Sequence, residues 1–183
     1  MSSWEPLLER VVRERYPRLV THAMLVSGSA ADAQDLVQEA LIATFSGRAR
    51  FRSVEQAEAY VRRAIASRSV DASRRRATES RTSQRLAGLA VPTLAVEERG
   101  PGADVLRALS TLSPRERACV VLRQLDDLSV ADTAAQLGLS EGAVKRYTAD
   151  GIARLNAVLG STAVTVERIS VRQVETVEVR DGQ

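Results

Sequence analysis

Apolar residues recur at helical spacing in separate blocks along this 183-residue chain, and the blocks predict its elements. Between about residues 5 and 27, Leu7, Leu8, Val11, Val12, Leu19, Val20 and Leu25 fall near one helical face. Pro17 sits inside that block and is expected to bend or split the helix, because proline lacks the N–H the ladder needs. Ser27, Gly28 and Ser29 read as a turn. A second helix is predicted over 31–45, where Leu36, Val37, Ala40, Leu41 and Phe45 form an apolar stripe and Asp32, Asp35, Gln38 and Glu39 an acidic face. A third is predicted over 54–76, with Ala57, Tyr60, Val61, Ile65 and Ala72 on its buried side. Its remaining positions carry Arg62, Arg63, Arg68, Arg74, Arg75 and Arg76, nearly uncompensated except by Asp71.

From residue 77 to about 102 the periodicity dissolves into Thr, Ser, Gly and Pro, with Pro92, Gly100 and Pro101 as breakers, and the stretch reads as a linker. Helical signals resume at Asp104, where Val105, Leu106, Leu109 and Leu112 make a short amphipathic helix. Ser113, Pro114, Arg115 and Glu116 then supply an N-cap, a first-turn proline and a capping-box glutamate. Ser129 to Asp132 repeats the pattern less strictly and opens a helix through Leu137. Gly138 supplies a tight turn, Leu139 a core contact and Ser140 another cap for a helix reaching about residue 159. This spacing is that of a helix-turn-helix, whose second helix would turn Ser140, Glu141, Gly142, Lys145 and Arg146 toward DNA bases and phosphates.

The last segment, 161–183, alternates Val164, Val166, Ile169, Val171, Val174, Val177 and Val179 with polar residues. Its strand propensity is high, and a short hairpin and a disordered tail both fit it. Elsewhere composition reinforces the helical reading: one Trp, three Tyr and two Phe are too few for a typical β-sandwich or barrel. The fold class expected is therefore all-α, two small helical domains joined by a linker, with a short C-terminal tail of strand character.

Charge and rare residues narrow the chemistry. Lys145 is the only lysine, so the net charge of +3 rests on arginine. Arginine reads phosphates and guanine edges well, but GC-rich coding produces the same bias. Cys119 is the single cysteine and lies in an apolar run, which excludes an intrachain disulfide and favours a buried structural thiol. His22 is the single histidine, and no Gly-rich phosphate loop or paired-carboxylate cleft can be picked out, so no catalytic residue, metal site or cofactor is expected. Residues 4–18 mix charged and apolar positions unlike a signal peptide, and no apolar run approaches the roughly 18 residues of a membrane span. A cytoplasmic location without membrane insertion is the expectation.

Each charged constellation has a plain structural reading beside the functional one. The acidic helix could be an ordinary amphipathic helix with acids near its positive pole, and Arg74 to Arg76 could simply favour a helix C-terminus. Arg62, Arg63 and Arg68 precede that terminus, however, and the set could neutralise several phosphates. A helix-turn-helix can also serve only as a packing unit.

Taken in order, three stretches resemble one family. Residues 32–45 are similar to the segment of extracytoplasmic-function sigma factors that grips the clamp helices of RNA polymerase. AYVRRAIASRSVDASRRR, residues 59–76, resembles their promoter-melting region, and residues 105–159 resemble their minus-thirty-five domain. The resemblance implies a non-catalytic subunit of core RNA polymerase acting on promoter DNA, with an anti-sigma factor as a further partner. It assigns Asp35, Leu36, Gln38 and Glu39 to polymerase, and Arg62, Arg63, Ser67, Arg68, Arg74, Arg75 and Arg76 to the minus-ten element. It assigns Ser140, Glu141, Gly142, Lys145 and Arg146 to the minus-thirty-five element. Two departures stand out: Ser67 replaces a frequent asparagine, and Tyr147, Thr148, Ala149 and Asp150 interrupt the usual basic run after the lysine.

The implied division is a first domain over 1–88, a linker over 89–102, a helix-turn-helix domain over 103–160 and an extension over 161–183. Two alternatives compete with this reading. One is a helix-turn-helix regulator binding operator DNA without polymerase; the other is an adaptor whose helices bind partner helices and whose arginines are merely solvated.

Overall fold

The computed structural model describes residues 4–46, 50–84 and 103–162. The expected linker over 89–102 and nearly all of the tail, from residue 163 on, lie outside the described residues. Among the described residues the chain forms seven helices: α1 (Glu5–Ser27), α2 (Ala30–Ser46), α3 (Val54–Gln84), α4 (Ala103–Ser110), α5 (Pro114–Gln124), α6 (Val130–Leu137) and α7 (Glu141–Thr162).

Helix α1 continues through Pro17 rather than splitting there. Pro17 lies on the exposed side, and the carbonyl it frees, that of the exposed Arg13, is on the side water can reach. The helix stops at Gly28, whose φ of 68° is left-handed and whose N–H bonds the Met24 carbonyl at 2.8 Å. Helix α3 runs eight residues beyond the expected Arg76, because no glycine or proline stands between Arg76 and Gln84 to end it.

The buried stripes follow the predicted periods with three corrections, one of them Val105 of α4, which is 46% exposed. On α1 the core side is Val11, Leu19, Ala23 and Val26, so Val12 faces outward at 41% exposure. On α3, Ala57, Val61 and Ile65 are buried, whereas Tyr60 is 46% exposed and packs against the Phe51 ring at 5.3 Å. These residues, with Val37, Ala40 and Phe45 of α2, form the core of an α1–α2–α3 unit.

Helix α5 begins with the anticipated capping box: Glu116 N–H donates to Ser113 Oγ at 3.4 Å, and Ser113 N–H donates to Glu116 Oε2 at 2.9 Å. Ser129 caps α6 by accepting from Asp132 N–H at 3.0 Å, and Gly138 closes it in the left-handed conformation, φ 60°. The cores of the two units merge. Val26, Ala66 and Val70 from α1 and α3 pack in one cluster with Ala118, Cys119, Val121 and Leu122 of α5 and with Leu137 and Val144 of the helix-turn-helix. Burial pushes the Cys119 thiol up to about 11, as expected of a structural cysteine.

The two left-handed glycines separate strain from crowding. A Cβ at Gly138 would meet nothing within 4 Å, so Gly138→Ala should cost only the left-handed penalty, about 1–2 kcal/mol. At Gly28 a Cβ would lie 1.6 Å from Nη1 of the buried Arg117, so Gly28→Ala should lose roughly 3 kcal/mol. Urea unfolding of both variants checks this, and equal losses would refute the close seating of Arg117 on the end of α1.

Candidate functional site

The charged positions fall into three groups, each positioned by a different helix. On α2, Asp35, Gln38 and Glu39 are exposed on the outer face. Leu36, grouped with them by the sequence, is only 6% exposed and packs in the core, so it supports this face from beneath and reaches the surface only in the wall of the cleft between α2 and α3. Ile42 continues the face one turn further and is 66% exposed, an apolar neighbour that charge-based reasoning passes over.

On α3 the arginines divide by their surroundings. Arg74, Arg75 and Arg76 are exposed near the C-terminal end, as is Arg63 further back. Arg68 and Arg76 reach across to α2: Arg68 Nη1 is 3.6 Å from Glu39 Oε2, and Arg76 Nη1 is 2.6 Å from Asp32 Oδ2. The acidic and basic faces, which sequence reasoning treats separately, therefore line one cleft of about 190 Å³, with Asp35, Asp71 and Arg75 also in its wall.

Arg62 and Ser67 instead face the helix-turn-helix unit. Arg62 donates to Glu58 at 2.7 Å and to Asp126, in the α5–α6 connection, at 3.4 Å. Ser67 Oγ donates to the Gln136 carbonyl at 2.9 Å and accepts from Gln136 Nε2 at 2.7 Å. Asp126 and Gln136 were not found from sequence, because no local pattern marks a contact made across more than sixty residues.

On α7, Ser140, Glu141, Gly142, Lys145 and Arg146 are all exposed at the N-terminal end, while Val144 between them is buried. Ser140 Oγ accepts from Ala143 N–H at 3.2 Å and so starts the helix. Arg146 lies 5.1 Å from the centre of the Tyr147 ring, and Arg115 of α5 reaches the Tyr147 hydroxyl at 3.5 Å. Hydrogen bonds from Arg115 and Arg146 hold that hydroxyl below its usual range. Arg115 is thus a further cation at this end of the helix.

A three-helix unit with facing acidic and arginine rows, followed by a helix-turn-helix unit, defines the class as sigma-70-like. The "Sigma-70 region 2" family matches residues 11–79 and "Sigma-70, region 4" matches residues 103–155. The chain is 33% identical to an RNA polymerase sigma-E factor of Streptomyces avermitilis, over 84% of this chain and 85% of that protein. It is 31% identical to the ECF RNA polymerase sigma factor SigM of Mycobacterium tuberculosis, over 87% of this chain and 82% of that protein. In fold it is similar to the sigma factor RpoE of Bartonella quintana, solved with the anti-sigma factor NepR, at a TM-score of 0.62 and 23% identity, covering 83% of this chain and 96% of that one. The chain belongs to the extracytoplasmic-function sigma factors. No helix among the described residues is long and apolar enough to cross a membrane.

The contact between the units includes a buried histidine with a pH signature. Burial, reinforced by the Arg62 charge, lowers His22 to about 4, so it is neutral at pH 7 and its 3.6 Å approach to Asp126 is no ion pair there. Because the folded value lies below the ordinary 6.5, this stability is complete above pH 6.5 and is lost as pH falls toward 4. Asp126, raised by burial despite Arg62, works in the opposite sense. The His22 contribution should therefore fall by about 2 kcal/mol between pH 7 and pH 5. Urea unfolding at both pH values should show that loss in the parent and a flatter response in His22→Gln; parallel responses would rule His22 out as the cause.

Proposed function

We propose that this chain is an alternative sigma factor that binds core RNA polymerase and directs it to promoters through minus-ten and minus-thirty-five contacts. The exposed α2 face, Asp35, Gln38 and Glu39 held in place by Leu36, is the polymerase-binding surface. Arg62, Arg63, Ser67, Arg68, Arg74, Arg75 and Arg76 of α3 serve the minus-ten element, where arginines neutralise the backbone of the separated strand. Ser140, Glu141, Gly142, Lys145 and Arg146 at the start of α7 enter the major groove of the minus-thirty-five element. The observation that carries this reading is the presence on one chain of this family of an exposed acidic face, an arginine row and an exposed recognition-helix start, each on its own helix.

The protein acts by binding and positioning, without a catalytic residue or cofactor, in the cytoplasm where polymerase works. Its division is a domain over 1–88, a linker over 89–102, a helix-turn-helix domain over 103–160 and an extension over 161–183. The similar Bartonella quintana protein is held by an anti-sigma factor, which supports a partner of that kind here as well. The altered positions, Ser67 in the base-reading region and Asp150 one turn beyond Arg146, point to promoter elements with their own sequence preference.

Mixing the purified chain with bacterial core polymerase and a promoter library should give a stable complex and specific transcripts. Transcripts absent from a folded chain that binds palindromic duplex DNA alone would replace this reading with an operator-binding regulator. Asp35→Asn with Glu39→Gln should weaken polymerase binding about tenfold without changing unfolding. Replacing Arg74, Arg75 and Arg76 by alanine should impair promoter opening more than polymerase binding; equal loss of both would remove these arginines from the minus-ten site.

A further inference from the structure

We infer that Asp150 is a base-reading residue of the recognition helix, accepting from the exocyclic amino group of a cytosine while Arg146, one turn earlier, takes a guanine. The inference rests on the proposed minus-thirty-five role of α7 and supplies the sequence preference of that site. Helical spacing places Gly142, Ala149 and Ala153 along the middle of the exposed face of α7, with Lys145 on one edge and Arg146 and Asp150 in a row on the other. The small residues leave room for base edges to approach the helix, and nothing lies within 4 Å of where a Cβ at Gly142 would stand. One helical turn, a rise of about 6 Å, sets the two readers one or two base pairs apart.

Arg146 is positioned for its base before DNA arrives. It lies 5.1 Å from the centre of the Tyr147 ring, and Arg115 of α5 reaches the Tyr147 hydroxyl at 3.5 Å and steadies that ring. An arginine stacked on a ring keeps its edge N–H groups free, and that edge matches the O6 and N7 acceptors of guanine. Asp150 is left for the complementary base. It stands at the i,i+4 spacing from Arg146 at which opposite charges commonly pair, yet it is exposed and makes no hydrogen bond or ion pair among the described residues. A bare carboxylate is repelled by phosphates and by the acceptors of guanine and thymine. Adenine sets its N7 acceptor beside its amino group, whereas cytosine presents its amino group with no acceptor beside it on the same base, so cytosine is the base a carboxylate selects.

The test uses holoenzyme assembled from the full-length chain and bacterial core polymerase, with promoter DNA randomised in the minus-thirty-five element, and sequences the DNA retained at fixed salt. The parent should retain DNA carrying a guanine and a cytosine one or two base pairs apart, each preferred about tenfold over the other bases. Asp150→Ala should lose the cytosine preference alone, and Arg146→Ala the guanine preference alone. Asp150→Asn should move the cytosine preference to adenine, whose N6 and N7 match an amide, and a promoter carrying that one change should restore retention to the parent's level. Both positions are exposed, so each variant should unfold in urea as the parent does. An Asp150→Ala holoenzyme that keeps the cytosine preference, or that binds every sequence more tightly by the same factor, overturns the inference and leaves Asp150 a repelling surface charge. A parent that forms no complex with polymerase removes the proposed function and this inference with it, whereas a transcribing holoenzyme that selects neither base removes this inference alone.

Discussion

The packing of α5 against α1 and α3 is the constraint on which the rest of the molecule depends. All seven residues from Glu116 to Leu122 are buried, so α5 has no solvent face along that stretch. A helix enclosed on every side must be apolar or have partners for its charges. Ala118, Cys119, Val121 and Leu122 satisfy the first condition against Val26, Ala66 and Val70. Glu116 satisfies the second: it closes the capping box and lies 3.6 Å from Arg154. Arg117 lies against Gly28 at the carbonyl end of α1, yet its Nε is buried without a hydrogen-bond partner, and burial followed by the Arg76 charge lowers its pKa. Ala134 and Leu137 of α6 and Val144 of α7 belong to the same cluster, so α5 also helps to fix how the helix-turn-helix unit is held.

Electrostatics on the α2–α3 side follow a different logic. Arg68 with Glu39 and Arg76 with Asp32 are exposed pairs, each worth no more than about 1 kcal/mol in water. They are therefore weak enough to be exchanged for a partner's charges. Their proximity also means that neither face presents its full charge to solvent in the free chain: the acids screen the arginines and the arginines screen the acids. The Arg62 cluster differs in being drier. It links Glu58, Asp126 and, through Glu58, Arg15 of α1 at 3.4 Å, so removing Arg62 leaves the buried Asp126 without an arginine while Glu58 keeps Arg15.

Local rules made much of the fold legible. The capping residues Ser113, Ser129 and Ser140, the turn at Gly138 and the stripes of α2 act within one or two helical turns, and all appear where the sequence implies. Pro17 was misleading because the cost of a proline depends on which side of the helix it lies, which periodicity around a proline blurs. The end of α3 was placed too early because a polar composition resembles a linker even where each residue tolerates a helix. For the site, helical spacing placed Asp35, Gln38, Glu39, Lys145 and Arg146 outward, since exposure follows from period alone. Leu36 shows the limit: its charged neighbours flank a position that periodicity turns inward. Asp126, Gln136 and Arg117 were invisible, since their roles exist only once the two units meet.

The same distinction resolves the interrupted basic run after Lys145. Read along the chain, Tyr147 to Asp150 remove the cations a recognition helix would present. In space, Tyr147 gathers Arg146 over its ring and Arg115, from a different helix, at its hydroxyl. The start of α7 thus gathers Lys145 and Arg146 on that helix with Arg115 beside them, although only the first two are neighbours in sequence. Asp150 lies one turn beyond Arg146 and interrupts the exposed cations there, and the next exposed arginine on α7, Arg154, lies 3.6 Å from Glu116.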